Sequence, residues 1–302
     1  GYAGITNYNV QAHSDDYFTY RSILQIQNNL LFKTCPTSTP ITHGAPIIFA
    51  GSDYTIPIST PFILTGTGSD PNNDPLTYSW EQNNTASAAF TGVSPTNTTS
   101  PNWRSRNPET VPVRYMPKLS SVLANTLTAD YESVSSVART LNFTLTGRDN
   151  VLGGGQTGND DMIVNVSASA GPFDVTSQNT NQLVWAQGSS QTITWTVNNT
   201  TSLAGSANVD ILLSTDGGQT FTTTLASNTP NDGTEVITAP NVNFPNCRVM
   251  VKPTGNIYYD INTTSFAIGN YVYQNQNVCS DYTFALNQPI RYDVSGVYLN
   301  GC

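Results

Sequence analysis

Aspartates and their amide neighbours are the residues best placed to do chemistry in this sequence. Asp70, Asn72, Asn73 and Asp74 fall within one five-residue span, and Asp149, Asp160 and Asp161 flank a later glycine-rich turn. Hard oxygen donors clustered on loops are what Ca²⁺ requires, usually about six to eight of them. Asp70, Asp74, Asp149, Asp160 and Asp161 are therefore a candidate calcium set, provided the later hairpin folds back to the same pole. The competing reading is that Asp-Pro-Asn-Asn-Asp is a turn whose side chains bond backbone amides. His13 with Asp15 and Asp16 is a poor ligand set, because two carboxylates before a helix more simply complement its positive end. Cys35 and His43 have no third group to orient them as a nucleophilic pair.

Aromatic residues raise a second possibility, contact with a glycan. Tyr78 and Trp80 alternate along one strand face, which points them into a core. Trp185, Trp195, Tyr258 and Tyr259 belong to the same set of aromatics. Trp103 lies in a long polar segment where packing gives it no evident place, so it is the candidate ligand contact. Ser214-Thr215-Asp216-Gly217-Gly218-Gln219-Thr220-Phe221 reads as a hairpin in which Asp216 bonds turn amides. A propeller would need several copies of such a segment.

The elements that carry these residues are mostly strands. The chain has 302 residues, 37% hydrophobic and only 10% charged, with net charge −9, 22 Gly and 18 Pro. That length predicts two or three domains with full cores. Eleven Lys and Arg, thinly spread, leave no basic stripe for phosphates, so nucleic acid is not an expected partner. No run reaches the roughly 18 apolar residues that a membrane helix needs, so no membrane span is expected.

Helical spacing of Phe18, Ile23, Ile26, Leu30 and Leu31 predicts a helix over residues 15–33, capped by Ser14 or Asp15. A Pro/Thr/Ser linker follows. The period then changes to two in Tyr54–Ile58, Phe62–Thr65 and Leu76–Trp80, and again in Arg139–Thr146 and Met162–Val166, with Gly153-Gly154-Gly155 as a hairpin loop between the last two. Between Gln82 and Tyr131 only a short helix near Met116–Leu123 is expected. From Gly171 onward, strands are predicted at Gln191–Val197, Asn208–Ser214, Glu235–Thr238, Cys247–Val251 and Ser265–Ile268. The pattern is mostly β: two tandem immunoglobulin-like β-sandwiches, a short N-terminal helix and a disulfide-tied C-terminal tail. Four cysteines allow three pairings. Cys279 and Cys302 bracket the tail and are the expected bridge. Cys35 and Cys247 either pair or stay as thiols.

Three stretches resemble the C-terminal half of secreted metzincin-type zinc metalloproteases of Bacteroidota. Gly1-Tyr2-Ala3-Gly4-Ile5 with His13 to Phe18 looks like the residues after a Met-turn methionine and the start of the closing catalytic-domain helix. Pro61 to Gln82, with Asn102-Trp103-Arg104-Ser105 and Arg148-Asp149-Asn150, looks like the PKD- or cadherin-like module of such enzymes. Val209 to Gly218, with Pro230-Asn231-Asp232-Gly233, looks like their next Ig-like module. The resemblance implies four parts: residues 1–40 as a catalytic-domain remnant with linker, 41–170 as a PKD/cadherin-like sandwich, 171–269 as an Ig-like sandwich and 270–302 as a terminal strand segment.

The chain departs from that pattern where hydrolysis would occur. A metzincin holds Zn²⁺ with three histidines of a His-Glu-x-x-His-x-x-Gly-x-x-His segment. This sequence has two histidines and no His-Glu pair, so Zn²⁺ is expected only in a parent catalytic domain. Thr6 and Ser79 also stand where relatives often carry cysteine. The expected role is a secreted or cell-surface accessory region with no catalytic residues of its own. It would act as a spacer that contacts an extracellular protein or glycan. The alternative is a structural adhesin or filament subunit that self-associates.

Overall fold

Alternation of apolar and polar residues sets many of the longer strands of the computed structural model, which describes residues 13, 15–34, 37, 39–87, 92–273 and 291–293. Contacts divide the chain into two units, residues 1–122 with 126–171 and residues 123–125 with 172–302.

The first unit begins with helix α1, Tyr20–Leu30. It starts later than residue 15 because Thr19 is the cap: its backbone is extended and its hydroxyl oxygen accepts the Ser22 N–H at 3.4 Å. Asp15 and Asp16 therefore precede the helix, and its first turn holds no acid. Ten strands follow among the described residues: β1 Ile47–Phe49, β2 Tyr54–Pro57, β3 Phe62–Thr65, β4 Thr67–Ser69, β5 Thr77–Gln82, β6 Val113–Met116, β7 Thr128–Ala129, β8 Glu132–Ser133, β9 Arg139–Arg148 and β10 Thr157–Ser167. A short helix α2, Leu119–Leu123, lies between β6 and β7, where the sequence predicts one.

One layer is the sheet β2-β10-β9-β5, with β2 parallel to β10 and the other pairs antiparallel. The pairs β3–β6, β1–β4 and β7–β8 complete the unit. Phe62 of β3 meets Phe143 of β9 with ring centroids 6.1 Å apart, which joins the layers. Tyr78 and Trp80 are buried as their alternation requires, and the three glycines expected as a loop connect β9 to β10.

The second unit contains β11 Asp174–Val175, β12 Val184–Trp185, β13 Ser190–Thr196, β14 Asn208–Ser214, β15 Thr223–Pro230, β16 Thr234–Thr238, β17 Phe244–Pro253, β18 Asp260–Ile261, β19 Phe266–Ile268, β20 Tyr271–Tyr273 and β21 Arg291–Asp293. One sheet runs β11-β13-β16 and the other β12-β19-β17-β14-β15, with β18 on β17. Trp185 packs on Phe266 at 4.2 Å and Phe173 meets Tyr258 edge-on at 5.2 Å, so the core is aromatic. The molecule is thus mostly β, with two Ig-like sandwiches and one short N-terminal helix.

β16 ends its sheet, and two of its backbone amides are bonded to nearby carboxylates. Thr234 N–H donates to Asp232 and Val236 N–H to Glu235, each at 3.2 Å. The other Glu235 oxygen accepts the Thr229 hydroxyl. Cys247 is buried in β17 with its sulfur 3.7 Å from the Phe244 carbonyl. Cys35, Cys279 and Cys302 lie outside the described residues, and so do most of the residues expected to form the tail.

Candidate binding cleft

The segment that the sequence leaves without strands, residues 92–116, is folded across the end of β5. Gln82 does this. Its side-chain carbonyl accepts the backbone N–H of Asn102 at 2.7 Å and of Trp103 at 3.1 Å. Buried Asn102 then ties the neighbouring loop, donating to Ser94 O at 2.8 Å and accepting from Asn97 Nδ2 at 2.9 Å. Trp103 becomes a packed residue, 3% exposed, with its ring edge-on to Phe62 at 5.6 Å and 86°. The expectation that packing gives it no place is corrected: its partner lies 41 positions away in sequence, on β3.

Trp103 borders a cleft of ≈ 300 Å³ shared by Arg21, Glu81, Asn83, Arg104 and Tyr131. Its indole N–H is buried and has no acceptor among the described residues. Glu81, also buried, accepts the Ser105 hydroxyl at 2.6 Å and the Tyr20 N–H at 2.5 Å. Asn83 is anchored by donating Nδ2 to the Thr144 hydroxyl at 2.5 Å. Tyr131 follows Asp130 in the turn between β7 and β8, and both have left-handed backbones, with φ 61° and 52°. The turn has no glycine, so the sequence gives no hairpin signal there, and Tyr131 and Arg104 were not legible as cleft residues.

Beside the cleft, a fully buried Glu132 accepts from Arg106 Nε and Arg114 Nη2, each at 2.7 Å, and from the Lys118 N–H at 2.9 Å. Burial opposes its charge, but the two guanidiniums and the amide prevail and hold the carboxyl below its ordinary range. Burial lowers Arg114 from its usual value, with Glu132 opposing the shift. Arg148, lowered chiefly by burial, lies 5.6 Å over the Tyr17 ring and donates to Ser79 Oγ and Phe18 O.

The candidate calcium residues hold separate backbone and side-chain positions. Asp70 accepts the N–H groups of Asn72 at 2.7 Å and Asp74 at 3.1 Å, as a turn-forming aspartate does. Asp74 pairs with His43 Nδ1 at 2.8 Å. Asp149 accepts the Gln156 and Val151 amides, while Asp160 accepts the Ala50 N–H at 2.8 Å and Asp161 the Thr144 hydroxyl at 2.5 Å. The turn is closed by these bonds, and the five are not drawn together: among the described residues no three His, Cys, Asp or Glu side chains converge as metal ligands.

In the second unit, Asp216 Oδ1 accepts the Gln219 and Thr220 N–H groups at 2.9 and 3.0 Å, as its sequence context predicts. Burial opposes its charge slightly, but bonds from Ser214, Thr220 and Gln219 hold the carboxyl far below the ordinary range.

No known protein-family profile matches the chain, and no curated protein matches it. Among solved structures, the fibronectin(III)-like modules of Clostridium thermocellum CbhA are 12% identical over 74% of this chain and 93% of theirs, with TM-score 0.25. Drosophila N-cadherin EC1-4 is 12% identical over 75% of this chain and 50% of that one, with TM-score 0.24. The N-terminal four Ig domains of Dscam1 isoform 4.44 are 10% identical over 77% and 47%, with TM-score 0.20. The chain spans about half the length of the last two. This is a likeness among tandem β-domains, and it carries no functional argument.

Proposed function

We propose that this chain is a non-catalytic extracellular region that serves as a spacer and a substrate- or surface-binding module, and that it is the accessory part of a secreted zinc metalloprotease. The observation that carries the non-catalytic role is the engagement of its ionisable groups. Glu81, Glu132, Asp70, Asp149 and Asp216 each accept bonds that fix local backbone or bury a guanidinium. The short connection from β10 to β11, residues 168–173, supports the spacer role. The protease parent is supported by the resemblance of Gly1–Ile5 and the module sequences.

The coding sequence upstream of Gly1 tests this parent. A Met codon before Gly1, with a His-Glu-x-x-His-x-x-Gly-x-x-His segment ahead of it, is the expected result. An export signal joined directly to Gly1 overturns it.

A second reading, a cell-surface structural subunit, is favoured by α1. Ile26 and Leu30, with Phe18, Leu31 and Phe32 around them, are exposed, an apolar surface of the sort that mediates association. Light scattering on the full chain decides: a dimer or polymer that Leu30→Asp dissolves supports this reading, and a monomer removes it.

A further inference from the structure

We propose that the cleft beside Trp103 is a saccharide-binding site. This rests on the reading of the first unit as a binding module and gives that module a ligand class. A sugar presents an apolar C–H face and paired hydroxyls, so its sites combine aromatic surface with fixed planar polar groups. The cleft has both: the exposed Tyr131 ring beside the packed Trp103, and the side chains of Arg21, Glu81, Asn83 and Arg104.

Three features mark it as built rather than incidental. Gln82 fixes the Trp103 backbone from β5 through two hydrogen bonds. The indole N–H of Trp103, a residue that lines the cleft, is a buried donor with no acceptor among the described residues, and buried donors are normally satisfied. A half-exposed Tyr131 occupies a left-handed position in a two-residue turn, where glycine would be free of strain. That strained backbone holds an aromatic ring at the cleft wall. Its volume of ≈ 300 Å³ accommodates a mono- or disaccharide.

A peptide adding as a strand is the less suitable occupant. The outward N–H and C=O of Tyr78 on β5 are already bonded to Glu109, at 2.7 and 2.9 Å, so that edge offers no ladder there.

Calorimetric titration of the full chain with cellobiose, N,N′-diacetylchitobiose, mannobiose and digalacturonate tests the proposal. Binding of at least one with Kd at or below about 1 mM is expected. Arg21→Ala, on the exposed face of α1, and Tyr131→Gly should each weaken it about tenfold, the size of one good polar or stacking contact. Tyr131→Gly relieves backbone strain, so its binding loss should accompany an unchanged or raised Tm, which separates ligand contact from folding. Trp103→Phe should preserve the packing on Phe62 and weaken binding. The proposal is overturned if none of the four sugars binds, or if the bound sugar ignores both Arg21→Ala and Tyr131→Gly. Either result leaves the accessory-region reading to the upstream coding sequence.

Discussion

Arg114 Nη2 lies 2.7 Å from Glu132 Oε1, and Glu132 has no solvent exposure. The pair links β6 to β8, and Glu132 is the carboxylate that Arg114 and Arg106 share. Removing the Glu132 charge leaves both guanidiniums without their carboxylate. Glu132→Gln should destabilise the first unit by about 3–5 kcal/mol, read by chemical denaturation. An effect below about 1 kcal/mol would show that water reaches the site. Because the folded carboxyl lies below its ordinary value, its contribution is complete above the unfolded value near 4.5 and fades as pH falls below it.

Asp260 behaves in the opposite sense. Burial pushes its carboxyl up to about 7, with Asp174 adding to the shift and the Val175 and Ile261 amides opposing it. The folded state therefore holds the proton more tightly than the unfolded one. Stability of the second unit should be greatest near pH 4 and fall as pH rises toward 7, by at most about 1.4 kcal/mol per pH unit. Asp260→Asn keeps an acceptor for the Val175 N–H, 2.6 Å away, and should flatten this slope. Urea titrations of both proteins from acid to neutral pH give the comparison, and an unchanged slope would refute the assignment.

Asp216 fastens the turn after β14 by accepting from Gln219 and Thr220 downstream and from the Ser214 hydroxyl upstream. Asp216→Ala should lower stability by about 1–2 kcal/mol, since several backbone amides lose their acceptor. Amide hydrogen exchange should speed up at Gln219 and Thr220 before anywhere else in the unit.

Gly205 admits no side chain. Its φ is +75°, and an added Cβ would come within 1.9 Å of the Gly255 carbonyl oxygen. Gly205→Ala must distort backbone rather than a flexible side chain, so a loss above about 2 kcal/mol is expected. A Tm within about a degree of the parent would contradict the close approach.

Strands with a clean period of two, such as β13, β14 and β9, were legible in the sequence. Residues 83–131, apart from α2, were not, for a physical reason. In β6 the sequence Val113-Arg114-Tyr115-Met116 does not alternate by polarity, because a distant glutamate lets Arg114 turn inward. Trp103 looked stranded in polar sequence because Phe62 and Gln82, which seat it, are brought there only by the tertiary fold. The helix start was misplaced for a smaller reason: Ser14, Asp15 and Thr19 all suit a cap, and Glu81 of β5 selects the last by accepting the Tyr20 N–H.

Two amides of β16, those of Thr234 and Val236, are already bonded to Asp232 and Glu235. A bare edge recruits any strand that drifts past, including one from an identical molecule, and that is how cross-β growth is seeded. With carboxylates on these two amides, this edge of the second unit is less open to a strand from a neighbouring copy.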